Sequence, residues 1–267
     1  MRFAVLFLFI VVVVMAPPAA AQWNGVAPPR VPRNSDGSPN LNGPAPRTGD
    51  GKPDLSGVWR PDRNQKCPPD GCPDNQMSEQ FLDLGWGMKD GLPYQPWAAD
   101  LVTQRAARNG QDDPTSHCFP GGIVRLHTYP AFNKIVQTQR LIVILSEREV
   151  TYRQIFLDGR PLPKDPLPTW KGYSTGRWEG DTLVVDAIGF NDKTEVHGFM
   201  HTEALHVVER FRRVENGLQY EVTVEDPNVW TTPWVIPART FARRPELETV
   251  AEFVCESRAD YSKMFKK

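Results

Sequence analysis

Residues 204–226, ALHVVERFRRVENGLQYEVTVED, decide the fold. Asn216-Gly217 is the strongest two-residue hairpin signal, and the runs on either side alternate with the period of a β-strand. Taking that pair as the turn sets Glu215 opposite Leu218, Arg213 opposite Tyr220, Phe211 opposite Val222 and Glu209 opposite Val224. One face then carries Leu205, Val207, Phe211, Tyr220, Val222 and Val224, and the other carries Arg210, Arg212, Glu221, Thr223 and Glu225. A hairpin that is apolar on one side and charged on the other belongs to an antiparallel sheet laid over a core. Glu209 is the exception, a carboxylate on the apolar face.

The same pattern extends outward in both directions. Strands are expected at 56–61, 134–138, 140–147, 150–158, 174–178, 181–190, 204–214, 218–226, 229–243 and 247–255. Glu179-Gly180 marks a second tight turn. It places Tyr173 opposite Asp186, on a face shared with Val184 and Ile188. Pro96 at a helix start and Gly110 at its stop predict one short helix inside a loop-and-helix insertion spanning 62–110. About nine or ten strands joined by short turns, one helix and long Pro-rich loops specify an all-β class, and a closed antiparallel barrel is preferred over a sandwich. Residues 54–267 form that single barrel domain. Residues 22–53, rich in Pro, Gly and Asn, read as an extended tether.

The N-terminus, MRFAVLFLFIVVVVMAPPAAAQ, has one Arg, an apolar run and an Ala19-Ala20-Ala21 cleavage motif. It reads as a signal peptide over 1–21, so the chain is expected to be periplasmic or secreted, with no integral membrane segment after signal removal. Four cysteines in an exported chain suggest disulfides. Cys67 and Cys72 flank a turn-rich loop that a bridge could close, which leaves Cys118 to pair with Cys255. A four-cysteine zinc site is the less favoured alternative, because the spacing is poor. A net charge of −1 argues against nucleic acid as a partner.

Gly57-Val58-Trp59 ahead of an antiparallel barrel is similar to the lipocalin or calycin pattern. The run DGRPLPKDPLPTWKGYSTGRWEGDTLVVDAIGFNDKT (158–194), followed by HTEALHVVERFRR (201–213), resembles a family of exported proteins from soil and aquatic bacteria. The chain departs from that pattern at Glu195-Val196-His197-Gly198. The resemblance implies a barrel and an exported location, and supplies no mechanism.

Function is therefore read from residues. A carboxylate among Val and Phe must be neutral, hydrogen-bonded or paired, and burial moves its proton affinity toward the range useful in general acid–base work. Glu209 and Asp186 are the candidates, with His201 as a neutral-pH proton carrier and Tyr173 as a phenol donor. The competing reading of Glu209 is a structural ion pair with Arg153 or Arg213. Arg153, Tyr152, Trp170, Trp178, Asp192 and Tyr220 are the expected ligand contacts, since aromatic side chains at strand ends suit the mouth of a barrel holding an apolar or aromatic molecule. The expected activity is metal-free and cofactor-free acid–base chemistry of a lyase, hydratase or isomerase. A non-catalytic lipocalin-like carrier is the alternative. A metal enzyme using His197, His201 and His206 is the second alternative, disfavoured because strand alternation turns His206 outward. No phosphate loop, nucleophile elbow or Rossmann fingerprint is present.

Overall fold

The computed structural model describes residues 35, 45–61, 92–108, 113–129, 131–196, 199–214 and 217–255. The strands are β1 (Gly57–Pro61), β2 (Asn133–Gln137), β3 (Leu141–Ser146), β4 (Thr151–Phe156), β5 (Tyr173–Glu179), β6 (Thr182–Ile188), β7 (Glu195–Val196), β8 (Phe199–Met200), β9 (His206–Val214), β10 (Gly217–Glu225) and β11 (Trp234–Arg243). Nine of them close a barrel in the order β1-β11-β10-β9-β6-β5-β4-β3-β2, and β7 pairs with β8 as a separate ribbon. The helices are α1 (Pro96–Ala107) and α2 (Ile123–Thr128), with a 3-10 turn at Pro114–His117. The sequence predicted the first helix and missed the second.

All neighbours are antiparallel except β4 and β5, which run parallel over only two residue pairs, Ile155 with Ser174 and Phe156 with Thr175. The all-antiparallel expectation is corrected here, and the reason is one of parity. Strand directions can alternate all the way round a ring only if the ring has an even number of members, so nine strands require at least one parallel pair. The Pro-rich connection of residues 157–172 supplies it by returning the chain to the end where β4 began. Parallel neighbours need such a long crossover.

Both hairpin registers differ from expectation by two residues. Val214, not Glu215, pairs across the first turn with Gly217, so Phe211 faces Tyr220 and Glu209 faces Val222. In the second, Glu179 pairs with Thr182 and Tyr173 with Ile188. A turn displaced by one residue moves the register by two, which is one full period of the strand, so each side chain keeps its face.

The interior is filled by Val207, Phe211, Tyr220, Val222, Val224, Leu183, Val185 and Phe241, with Ile135, Ile142, Ile144 and Ile155 from the other wall. Between Tyr220 and Val222 the β10–β11 register shifts, at Pro237-Ala238. A proline cannot donate to the ladder and is tolerated at such a bulge. Trp59 is fully buried and donates Nε1–H to the Leu55 carbonyl at 2.8 Å. Residues 247–255, expected as a strand, form no barrel strand. Because β1 already bridges β2 and β11, the ring offers no free edge for a tenth member. That segment instead makes one bridge, Arg148 with Phe253, and the disulfide Cys118–Cys255 with Cα atoms 5.4 Å apart. Cys67 and Cys72 lie outside the described residues. No described helix is long and apolar enough to cross a membrane.

Candidate functional site

Glu209 faces inward from the middle of β9 and is completely buried. Arg153 reaches it from β4 through two contacts, Nη1 to Oε1 at 2.9 Å and Nη2 to Oε2 at 2.5 Å. The Tyr220 hydroxyl donates to Oε1 at 2.7 Å. Arg153 also donates from Nε and Nη2 to Ser174 Oγ on β5, at 3.1 and 2.9 Å. Its Nη1 lies 3.3 Å from His127 Nε2 on α2. A guanidinium has no acceptor capacity, so this His127 nitrogen must be the unprotonated one.

Charge states follow from these contacts. Burial alone would raise the Glu209 pKa, but the Arg153 guanidinium and the hydrogen bonds outweigh it and hold the carboxyl below its usual range. Burial pushes His127 down to about 4, against the attraction of Glu209 and with the help of Arg153 and Lys171. Burial and the Glu209 charge raise the Tyr220 phenol well above its ordinary value. The network is thus an ion pair with a neutral imidazole and a neutral phenol. Glu209 is ionised and satisfied, which makes it an anchor for Arg153 rather than a group poised to exchange protons.

The parallel seam opens the wall beside this network. Before Ile155 and Ser174 pair, β4 and the chain entering β5 diverge, leaving a pocket of about 490 Å³ lined by Tyr152, Arg153, Phe156, Trp170, Lys171 and Tyr173, among others. None of the described lining residues is acidic. Trp170 stacks on Phe119 with centroids 5.6 Å apart, and Tyr173 stacks on Phe156 at 5.4 Å. Arg160 lies 4.0 Å over the Phe156 ring and donates to the Tyr173 hydroxyl at 3.3 Å. Gly172 has φ +64°, and a Cβ there would come 2.7 Å from both the Ile188 carbonyl oxygen and the Phe190 ring, so no other residue fits.

Lys171 donates to the Gly121 carbonyl at 2.6 Å and contacts Glu149 Oε2 at 3.3 Å. Burial lowers its pKa to about 8, opposed by Glu149 and assisted by the Arg153 and Arg148 charges. Glu149 and Val150, in the β3–β4 turn, both have positive φ, +66° and +45°. Two successive non-glycine residues in that region are strained, the more so for a β-branched valine, and here the strain sets Glu149 against Gly121 and Lys171.

The structure gathers Tyr152, Arg153, Trp170 and Tyr173 at the pocket, with Glu209 and Tyr220 behind Arg153. It separates the others. Asp186 projects from the outer wall, where Oδ2 accepts from Arg177 at 2.9 Å and Oδ1 meets His206 Nε2 at 2.9 Å. Its expected place on an apolar inner face is corrected. In TLVVDAI both faces are apolar, and the inner one is Leu183, Val185 and Ala187, not Val184 and Ile188. His206 turns outward as its strand requires, with Nδ1 3.1 Å from Glu225. His201, expected as a neutral-pH proton carrier, is buried. Its Nδ1–H faces the Thr202 carbonyl at 3.0 Å and its Nε2 accepts from Thr194 Oγ1 at 2.5 Å. Burial lowers its pKa despite Thr202, Asp226 and Asp192. The two described histidines of the alternative metal triad therefore engage different partners, and His197 lies outside the described residues. Among the described residues no three His, Cys, Asp or Glu side chains gather as a metal site. Asp192 is exposed on its loop, and Trp178 packs at the core edge rather than in the pocket.

Sequence reasoning missed His127, Lys171, Ser174 and Glu149. Lys171 and Ser174 sit within TWKGYS beside residues already singled out. His127 gave no signal, because the helix carrying it was not foreseen. No protein-family model, curated protein or solved structure matches the chain.

Proposed function

We propose that this barrel binds a small aromatic anion in the pocket of the β4–β5 seam, as a carrier or scavenger. The observation that carries this reading is the lining itself: Trp170, Tyr152, Phe156 and Tyr173 offer ring faces and edges, Lys171 offers an ammonium group, Arg153 stands behind them paired with Glu209, and none of the described lining residues is acidic. Glu209, Ser174 and His127 take up the five N–H groups of Arg153, so it forms a fixed inner wall of the pocket and Lys171 is the donor that faces a ligand. Export to an oxidising compartment belongs to the same proposal. The Cys118–Cys255 disulfide supports it, and mass spectrometry of the secreted protein under non-reducing conditions checks it.

Binding is tested by tryptophan fluorescence against benzoate, 4-hydroxybenzoate and their uncharged amides. Saturable quenching by the acids, weaker with the amides and lost in Trp170→Ala, is the expected result. Equal response to acids and amides would remove the anion from the proposal, and no response to either would remove the pocket.

A second reading is an acid–base enzyme of the lyase or isomerase kind, with Lys171 as base. Its favouring observation is the buried amine in the pocket lining, which burial pushes down to about 8 against the pull of Glu149 and leaves partly neutral near neutral pH. Turnover of a bound aromatic acid that disappears in Lys171→Met, while binding persists, would select it over the carrier.

A further inference from the structure

Where β9 and β11 end, two arginines point into the barrel against the same indole. Arg213 places its guanidinium carbon 4.6 Å from the Trp59 ring centroid, and Arg243 places its own at 5.9 Å. Arg243 is paired in register with Trp59 and is 8% exposed, whereas Arg213 is only partly buried. Gly57, at φ +131°, makes room, because a Cβ there would come 3.2 Å from Arg243 Nε.

Little neutralises the pair. Among the described residues no Asp or Glu lies within ion-pair distance of either guanidinium. Asp54 attracts both from farther away, and its carboxylate accepts from the Ser56 amide at 2.8 Å. Among the described residues the one hydrogen bond that either guanidinium makes is long, Arg213 Nη1 to the Asp54 carbonyl at 3.5 Å. The Nε atoms of both arginines are buried, with no hydrogen-bond partner among the described residues. Burial and the like charge of Arg243 push Arg213 down to about 10. Buried charges are ordinarily paired, and two adjacent guanidiniums on one indole are poorly compensated by ring attraction alone.

We propose that Arg213 and Arg243 form a binding site for one small oxyanion, a carboxylate or phosphate, at this end of the barrel. The planar fork of a guanidinium matches two oxygens of such an anion, and two forks on one aromatic platform bind it with charge-assisted hydrogen bonds. The site uses no residue of the wall pocket.

Calorimetric titration with inorganic phosphate, sulfate and acetate, at ionic strength fixed with chloride, tests it. Stoichiometric uptake of at least one of them is expected, with a rise in Tm over the chloride reference. Arg213→Gln should weaken it by about tenfold or more, and Arg213→Lys, which keeps charge but loses the fork, should fall between. Because Arg213 is partly exposed, these variants read the site even if Arg243→Gln does not fold. Uptake must persist in Lys171→Met. No heat and no Tm rise with any anion would overturn the proposal, leaving the pair as packing on Trp59. Uptake unchanged in Arg213→Gln, or lost only in Lys171→Met, would overturn it equally.

Discussion

Removing the charge of Glu209 while keeping its shape isolates what Arg153 gains from it. Glu209→Gln leaves a buried guanidinium without a counter-ion, and breaking a buried pair from one side costs about 3–5 kcal/mol. Urea unfolding should show that loss, and ligand binding should weaken with it because Arg153 lines the pocket. Unchanged stability would mean the pair is dispensable. His127 adds a pH signature. Its pKa is about 4 when folded against an ordinary value near 6.5, so the unfolded chain binds the extra proton between those values. Stability is full above about 6.5 and falls as pH drops toward 4, by about 3 kcal/mol at most. The lowered Glu209 carboxyl acts in the same direction further into acid. His127→Gln keeps an acceptor for Arg153 and removes the titration, so the Tm–pH slope between pH 6.5 and 4 should flatten. A retained slope would assign the effect to other groups. The sequence exposed Glu209 because a charge interrupted an apolar face, whereas His127 sits in a short helix with no such contrast.

At the scale of elements, faces were legible and registers were not. A glycine can close a hairpin from either side of a turn, and each choice displaces the pairing by a whole strand period, which leaves Glu209 inside either way. Asp186 shows where that logic fails: with Val184 outside and Val185 inside, alternation alone does not choose a face. Pairing with β9 decides, since Val185 is opposite Glu209 and Asp186 opposite Val208. The β4–β5 seam depends on Gly172 in the same local way. Gly172→Ala combines an unfavourable φ with a backbone clash and should cost about 1–3 kcal/mol, read by thermal unfolding. Gly180, also at positive φ but with open space around it, is the comparison, and Gly180→Ala should cost only the backbone strain of about 1 kcal/mol.

For the molecule as a whole, class, closure and approximate strand number were readable from alternation and turns, but which segments the ring takes in was not. Nothing local in LETVAEFVC distinguishes a tenth strand from a tail, and only the completed ring excludes it. The disulfide holding that tail joins residues 137 apart in sequence. In the chain-entropy description a loop of that length contributes up to about 5 kcal/mol, and engineered losses usually fall below it. Cys118→Ser with Cys255→Ser should therefore lower stability by about 2–5 kcal/mol in denaturant, while leaving far-UV circular dichroism largely intact, because no barrel strand is lost.

The odd strand number has a kinetic consequence. Eight of the nine junctions are long antiparallel ladders or have three or more residue pairs, while β4–β5 has two. A ring under thermal motion parts at its weakest junction, so the amides bonded across Ile155–Phe156 and Ser174–Thr175 should trade their hydrogens for deuterium before those of β9 and β10. The gap proposed to admit a ligand is then also where the barrel begins to breathe. A bound aromatic acid, by bridging the two sides, would slow exchange there and almost nowhere else.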